Sequence, residues 1–142
     1  MSSIIKRRKT ANYTQINNMP IQEDIMDLGA IGLLVYIMSL PESWELHKSQ
    51  LHNHFTRRKV DSSWKVLVEK RYIIGFYCHV NGKKRYYYNV SDIPFTQDDY
   101  EQFILDVKDE LESEENTVYN IEKIKDSPLD IPELLSIVQN EQ

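Results

Sequence analysis

The chain is 142 residues long, 41% hydrophobic, and carries one cysteine, Cys78, with a formal net charge of −5. Such a length suits one ordinary domain with its own core, while a single thiol excludes an intrachain disulfide framework and a paired-cysteine zinc site. The charge is divided: residues 1–90 hold fourteen Lys/Arg against seven Asp/Glu, and residues 91–142 hold three against fifteen, so a basic part is joined to an acidic one.

Residues 1–11 read as a basic arm around Lys6-Arg7-Arg8-Lys9, without the apolar stretch of a signal peptide, which points to a cytoplasmic protein. Asn12 to Met19 is short and mixed and fits a strand ended by Pro20. Asp27 is a suitable cap for a helix in which Leu28, Ile31, Leu34, Ile37 and Met38 share one face and which Pro41 closes. The apolar run Leu28 to Leu40 is thirteen residues with two glycines and a serine, too short for a bilayer and suited to a buried helix.

A short second helix over His47 to Phe55 places Leu51 and Phe55 on one side, supported by Trp44 and Leu46. Thr56 can cap a third helix in which Val60, Trp64, Leu67 and Val68 recur at helical spacing, with Arg58, Lys59, Ser62, Lys65 and Glu69 on the opposite face. Two β-prone runs follow, Ile73 to Val80 and Lys83 to Val90, separated by Asn81-Gly82. That dipeptide is the strongest short hairpin signal, because both central residues of a type I′ turn need positive φ.

Composition shifts after Asp92-Ile93-Pro94. Thr96 and Asp99 have capping-box spacing, and Tyr100, Phe103, Ile104, Val107 and Leu111 form an amphipathic stripe, either a dimerisation helix or one folded back on the domain. After a polar linker, Ile131, Leu134, Leu135 and Val138 form a second stripe with Pro132 in its first turn, either a partner-binding helix or one docked on its own chain. The expected architecture is α+β: a basic arm at 1–11, a winged helix-turn-helix (strand, three helices, β-hairpin wing) at 12–94, and an acidic helical segment at 95–142 for partner binding or oligomerisation. Residues 1–94 alone are expected to bind DNA.

The chemistry points to nucleic acid. Arg57, Arg58 and Lys59 open the third helix, where a helix-turn-helix meets base edges, and Ser62 and Lys65 extend that face; Arg suits guanine, while Lys and Ser suit phosphates. Lys83, Lys84 and Arg85 follow the hairpin turn, where a wing reaches the backbone, and Arg7 and Arg8 offer a further basic contact. The tyrosines at 72, 77, 86, 87 and 88 could stack bases, but strand alternation puts at most half on one face and favours packing within core and wing. His47, His52 and His54 do not share a helical face, so no metal is expected. No phosphate loop, nucleophile elbow or zinc-protease motif occurs, and neither enzyme activity nor a cofactor is expected.

The stretches "NYTQINNMPIQED", "DLGAIGLLVYIMSLPESWEL" and "SSWKVLVEKRYI", over about 45% of the chain, resemble the helix-turn-helix domain of DnaD-like replication initiators and replisome organisers of Gram-positive phages, plasmids and mobile elements. Gly32, Leu40, Pro41 and Trp44 are its most specific marks. The resemblance implies that the third helix contacts DNA through Arg58, Lys59, Ser62 and Lys65, that a wing follows, and that the C-terminal part recruits helicase-loading partners or oligomerises. His47 departs from the family's Ser or Thr cap, the region 53–60 is slightly short, and Arg71 replaces its Gly before the hairpin. The expected function is sequence-specific binding of double-stranded DNA for a mobile element, in replication initiation or its transcriptional control. A homodimer, and a replication or regulatory protein bound by the tail, are its candidate protein partners. The rival is a protein-interaction module or inhibitor whose acidic tail engages or mimics nucleic acid toward a DNA-handling enzyme.

Overall fold

The computed structural model describes residues 4, 12–40, 48–113 and 118–139. Arg7 and Arg8, with the rest of the basic arm apart from Ile4, and Pro41 to His47 ahead of the second helix lie outside the described residues. The elements in order are α1 (Leu28–Ser39), α2 (Lys48–His54), α3 (Arg57–Glu69), β1 (Ile73–Val80), β2 (Lys83–Val90), α4 (Gln97–Glu112), β3 (Val118–Lys123), α5 (Glu133–Ser136) and β4 (Ile137–Gln139). They form an α+β fold around an antiparallel four-stranded sheet in the order β2-β1-β3-β4.

Local chemistry sets most boundaries. The Asp27 carboxylate accepts from Ala30 N at 2.9 Å, satisfying an amide that the first turn of α1 leaves open. Thr96 and Asp99 make the reciprocal capping box of α4, with Asp99 N donating to Thr96 Oγ1 at 3.1 Å and Thr96 N to Asp99 Oδ2 at 2.9 Å. Asn81 and Gly82 take φ of 51° and 84°, as a two-residue type I′ turn requires, and this fixes the register Ile73↔Val90 through Val80↔Lys83. The end of α3 is a Schellman motif: Tyr72 N donates to Leu67 O at 2.9 Å and Arg71 N to Val68 O at 3.1 Å. Arg71 itself takes the left-handed position, φ 68°, which glycine usually fills.

The strand expected over Asn12 to Met19 does not form. Asn17 Oδ1 accepts from Met19 N at 3.0 Å, which starts a helical turn, and Pro20 opens the π turn Pro20–Asp24, a place its fixed φ suits. Asp24 then accepts the Tyr72 hydroxyl at 2.6 Å, which holds this segment to the end of α3; burial first, and then this hydrogen bond, raises the tyrosine's pKa. The second neighbour of β1 is β3, paired from Phe76↔Lys123 to Val80↔Tyr119.

The sheet separates two cores. Ile25, Ala30, Leu33, Leu34, Leu51, Val60, Leu67, Val68, Tyr72, Ile73 and Ile124 pack among α1, α2 and α3. Ile74, Phe76, Cys78 and Val80, the alternate residues of β1, pack with Tyr100, Ile104, Val107 and Leu111 of α4 and with Ile121 and Leu129. The buried Tyr100 hydroxyl donates to Gly75 O at 2.8 Å, tying α4 to β1. Residues 95–139 are thus not a separate acidic helical segment: they supply half the strands of the sheet and the helix that covers one of its faces. The 131–138 stripe is not one helical face either. The helix α5 ends at Ser136 and Val138 lies in β4, Ile131 and Leu135 pack on the second core, and Leu134 is 89% exposed. With Pro132 before it and a strand after it, this segment satisfies its backbone by pairing with β3 rather than by continuing the helix.

Candidate nucleic-acid interface

Helix α3 buries Val60, Ser63, Trp64, Leu67 and Val68 and exposes Arg57, Arg58, Lys59, Asp61, Ser62 and Lys65. It can lie close to α1 because Gly29 has no side chain: a Cβ there would meet Ser63 Oγ at 2.9 Å. Thr56 occupies the N-cap position of α3 but makes no side-chain bond to the first-turn amides, and the first turn of α3 holds no acidic residue of its own. Arg58, Ser62 and Lys65, at i, i+4 and i+7, share its outward side. The stem of Lys59 runs instead beside Gly29 on α1, and the Ser62 hydroxyl donates to Lys59 O at 3.1 Å.

The sheet stands beside α3 through a second close approach. In the register Gly75 lies opposite Tyr88, and a Cβ on Gly75 would meet the Tyr88 ring at 2.5 Å. The ring fills that space and meets Trp64 of α3 edge to face, centroids 5.0 Å apart; burial raises its pKa to about 12. A groove of about 700 Å³ opens there, lined by Lys48 of α2, Asp61, Trp64, Lys65 and Val68 of α3, Tyr77, Lys84, Tyr86 and Tyr88 of the hairpin, and Lys123 to Asp126.

Five lysines and two aspartates give this groove a positive balance. Asp61 is further offset by neighbours: His52 Nε2 lies 2.8 Å and Lys48 Nζ 3.7 Å from Oδ1, and the His52 hydrogen bond, followed by these charges, holds its carboxyl below the usual range. Lys84 is centred by aromatic faces, its Nζ 4.3 Å from the Tyr77 centroid and 5.0 Å from that of Tyr86. The hydrogen bond with Tyr86 is the main cause that raises its pKa. Tyr77 donates its hydroxyl to Glu122, which raises the phenol's pKa.

The same contacts decide what the tyrosines can do. The Tyr86 and Tyr88 rings are parallel within 8° at 6.0 Å, and Lys84 sits over Tyr86 and Tyr77. One face each of Tyr77 and Tyr86 is therefore taken by Lys84, while Tyr86 is 51% exposed. That suits phosphate and sugar contacts better than intercalating bases.

No protein-family model, curated protein or solved structure matches the chain. Among the described residues no helix is long and apolar enough to cross a membrane, and no three His, Cys, Asp or Glu side chains are grouped to hold a metal ion.

Of the residues singled out in the sequence, Lys65 and Lys84 are brought together and Arg58 and Ser62 lie beside Lys65. The basic run after the turn is divided by strand alternation: Lys83 and Arg85 pair with Val80 and Cys78 and share their face, while Lys84 pairs with His79 on the groove face. Sequence reasoning missed Lys48, Lys123, Lys125 and the Tyr77–Lys84–Tyr86 cluster. The cluster was recoverable, since Asn-Gly fixes the register that sets Tyr77 opposite Tyr86. The lysines had no local signal, because their position depends on β3 pairing with β1 and on α2 packing against α3.

Proposed function

We propose that α1, α2, α3 and the β1–β2 hairpin act as a winged helix-turn-helix that binds double-stranded DNA. Helix α3 enters the major groove and the hairpin lies along the adjacent backbone. One observation carries this reading: Lys65 of α3 and Lys84 of the hairpin, distant in sequence, line the same groove. Arg58, Ser62 and Lys65 are placed to meet base edges and neighbouring phosphates, and Lys84 to meet backbone. The acidity of the chain does not oppose this, because Asp98, Asp106, Asp109, Glu110 and Glu112 are exposed on α4, which packs on the other face of the sheet. The molecule is thus electrostatically two-sided, which orients it on approach to a polyanion. Service in replication initiation or its transcriptional control on a mobile element is the role that the resemblance to DnaD-like proteins suggests for such binding.

The test is a mobility-shift titration of the full chain with a blunt mixed-sequence duplex. With about five phosphate contacts, affinity should fall at least about a hundredfold between about 50 and 200 mM salt. The exposed carboxylates of α4 favour the second reading, an interaction module that engages a DNA-handling enzyme. Absence of duplex binding at low salt would reject the first reading in favour of the second.

A further inference from the structure

Helix α1 leaves an apolar side open. Its residues, Leu28–Ser39, include no charged side chain, and a helix apolar on every side is ordinarily enclosed. The structure encloses one side of it. Ala30, Leu33 and Leu34 are buried, while Leu28 is 87% and Val35 36% exposed, and Gly32 between them is exposed as well. Positions 28, 32 and 35 lie at i, i+4 and i+7 and form one stripe, which Met26, 77% exposed, continues ahead of the helix. Gly32 carries a second, independent signal. The other three glycines each have a reason within the chain: Gly29 lies against Ser63, Gly75 against the Tyr88 ring, and Gly82 takes a positive φ in the hairpin turn. Among the described residues, a Cβ on Gly32 would meet no neighbouring atom within 4 Å. Glycine weakens a helix interior relative to alanine, so the fold of a single copy gains nothing from it, whereas close approach by another backbone does.

We propose that the open side of α1 is a self-association surface, on which two copies pair through antiparallel α1 helices about a twofold axis at Gly32. The occupant is a second copy because the stripe matches itself. With Gly32 facing Gly32, Leu28, four residues before it, comes opposite the partner copy's Val35, three residues after it, and the same contact recurs across the axis. Neither helix carries a charge, so none is buried, and the two glycines let the backbones approach to the usual helix separation of about 8–10 Å or closer. An α1 of twelve residues is about 18 Å long, so the contact falls well short of the roughly 1,600 Å² of a standard interface. The dimer is therefore weak and reversible, with a dissociation constant on the order of 10–100 μM. The surface is separate from the DNA-binding one: α3 lies against α1 on the side of Gly29, and none of the described residues lining the groove belongs to α1.

The experiment is sedimentation equilibrium of the full chain, freed of nucleic acid, from about 5 to 500 μM, a range that brackets the expected constant. Wild type should pass from monomer to dimer. Leu28→Glu and Val35→Lys, both at exposed positions, should keep melting temperatures near that of wild type and each weaken association at least about a hundredfold, because each buries an unpaired charge in the dimer. An equimolar mixture of the two should dimerise again, since antiparallel pairing sets the introduced carboxylate against the introduced ammonium. Gly32→Ala separates association from folding. It should raise the melting temperature of dilute protein by about 1–4 °C, as alanine does in an open helix position, yet weaken association at least about fivefold by overpacking the axis. A monomer at every concentration overturns the proposal and leaves the stripe to a different protein, with the DNA-binding reading unaffected. A dimer that survives Leu28→Glu, or one that Gly32→Ala forms as tightly as wild type, overturns it as well. A mixture that stays monomeric overturns the antiparallel twofold and the proposal with it.

Discussion

Gly75→Ala tests how the groove is built, because the glycine is where the sheet and α3 are set against each other. A Cβ at position 75 would lie 2.5 Å and 2.8 Å from two carbons of the Tyr88 ring and 3.0 Å from Tyr87 O. The backbone oxygen is fixed by the strand, and the ring cannot retreat freely because Trp64 lies against it at 5.0 Å. Overpacking of this kind costs about 1–3 kcal/mol, while alanine regains about 0.5–1 kcal/mol of the entropy penalty that glycine carries in a strand. A net loss of about 1–2 kcal/mol is expected, a fall of roughly 2–8 °C in melting temperature for a chain of this size. The informative assay is a double-mutant cycle by urea or thermal unfolding: Tyr88→Ala removes the obstructing ring, so Gly75→Ala should cost little in that background. A melting temperature that does not fall, or a penalty of equal size with and without the Tyr88 ring, refutes the reasoning.

Arg71→Gly should stabilise the chain by about 0.5–1 kcal/mol, since the residue at φ 68° bears a left-handed strain that glycine lacks; Arg71→Ala, which keeps a Cβ, should not, and equal gains would refute the backbone explanation. A fragment ending at Pro94 should aggregate or melt early rather than bind DNA as an independent domain, because Ile74, Phe76, Cys78 and Val80 lose their cover and each buried side chain of this kind is worth about 1.5–3 kcal/mol; a soluble, cooperatively folded fragment would refute this. Asp61 has a depressed pKa when folded, so its contribution is present above the ordinary carboxylate value of 3.8 and is lost as pH falls below it toward the folded value. Stability of Asp61→Asn should therefore fall less than that of wild type over this acid range, by a small margin because the side chain is half exposed; parallel curves would refute the role given to its contacts with His52 and Lys48.

The legible parts of the fold were those fixed within a few residues. Asp27, Thr96 with Asp99, and Asn81-Gly82 act on backbone groups two to four residues away, and the elements they start or join lie where their spacing puts them. What escaped the sequence depends on distant pairing. Asn12 to Met19 reads as a strand until Asn17 is seen to start a turn, and the second neighbour of β1 is a segment that begins at residue 118. Composition also misled, because the −12 balance of residues 91–142 suggests a solvated tail, whereas α4, which carries seven of the fifteen carboxylates, buries its stripe of Tyr100, Ile104, Val107 and Leu111. The site followed the same rule. Arg58, Ser62 and Lys65 follow from one helix, and Lys84 needs the hairpin register to be separated from Lys83 and Arg85.

The central claim, that α3 and the hairpin grip one duplex through the groove face, is tested most directly by neighbours in sequence that part in space. Lys83 and Lys84 are adjacent, but only Lys84 shares a face with the groove. Salt-dependent binding of a blunt duplex should be measured for wild type, Lys65→Ala, Lys84→Ala and Lys83→Ala in the full chain. Lys65→Ala and Lys84→Ala should each weaken binding and flatten the salt slope by about 0.9, the value of one phosphate contact, while Lys83→Ala leaves the slope at its wild-type value. Equal effects of Lys83→Ala and Lys84→Ala, or no duplex binding by the wild type, would contradict the claim.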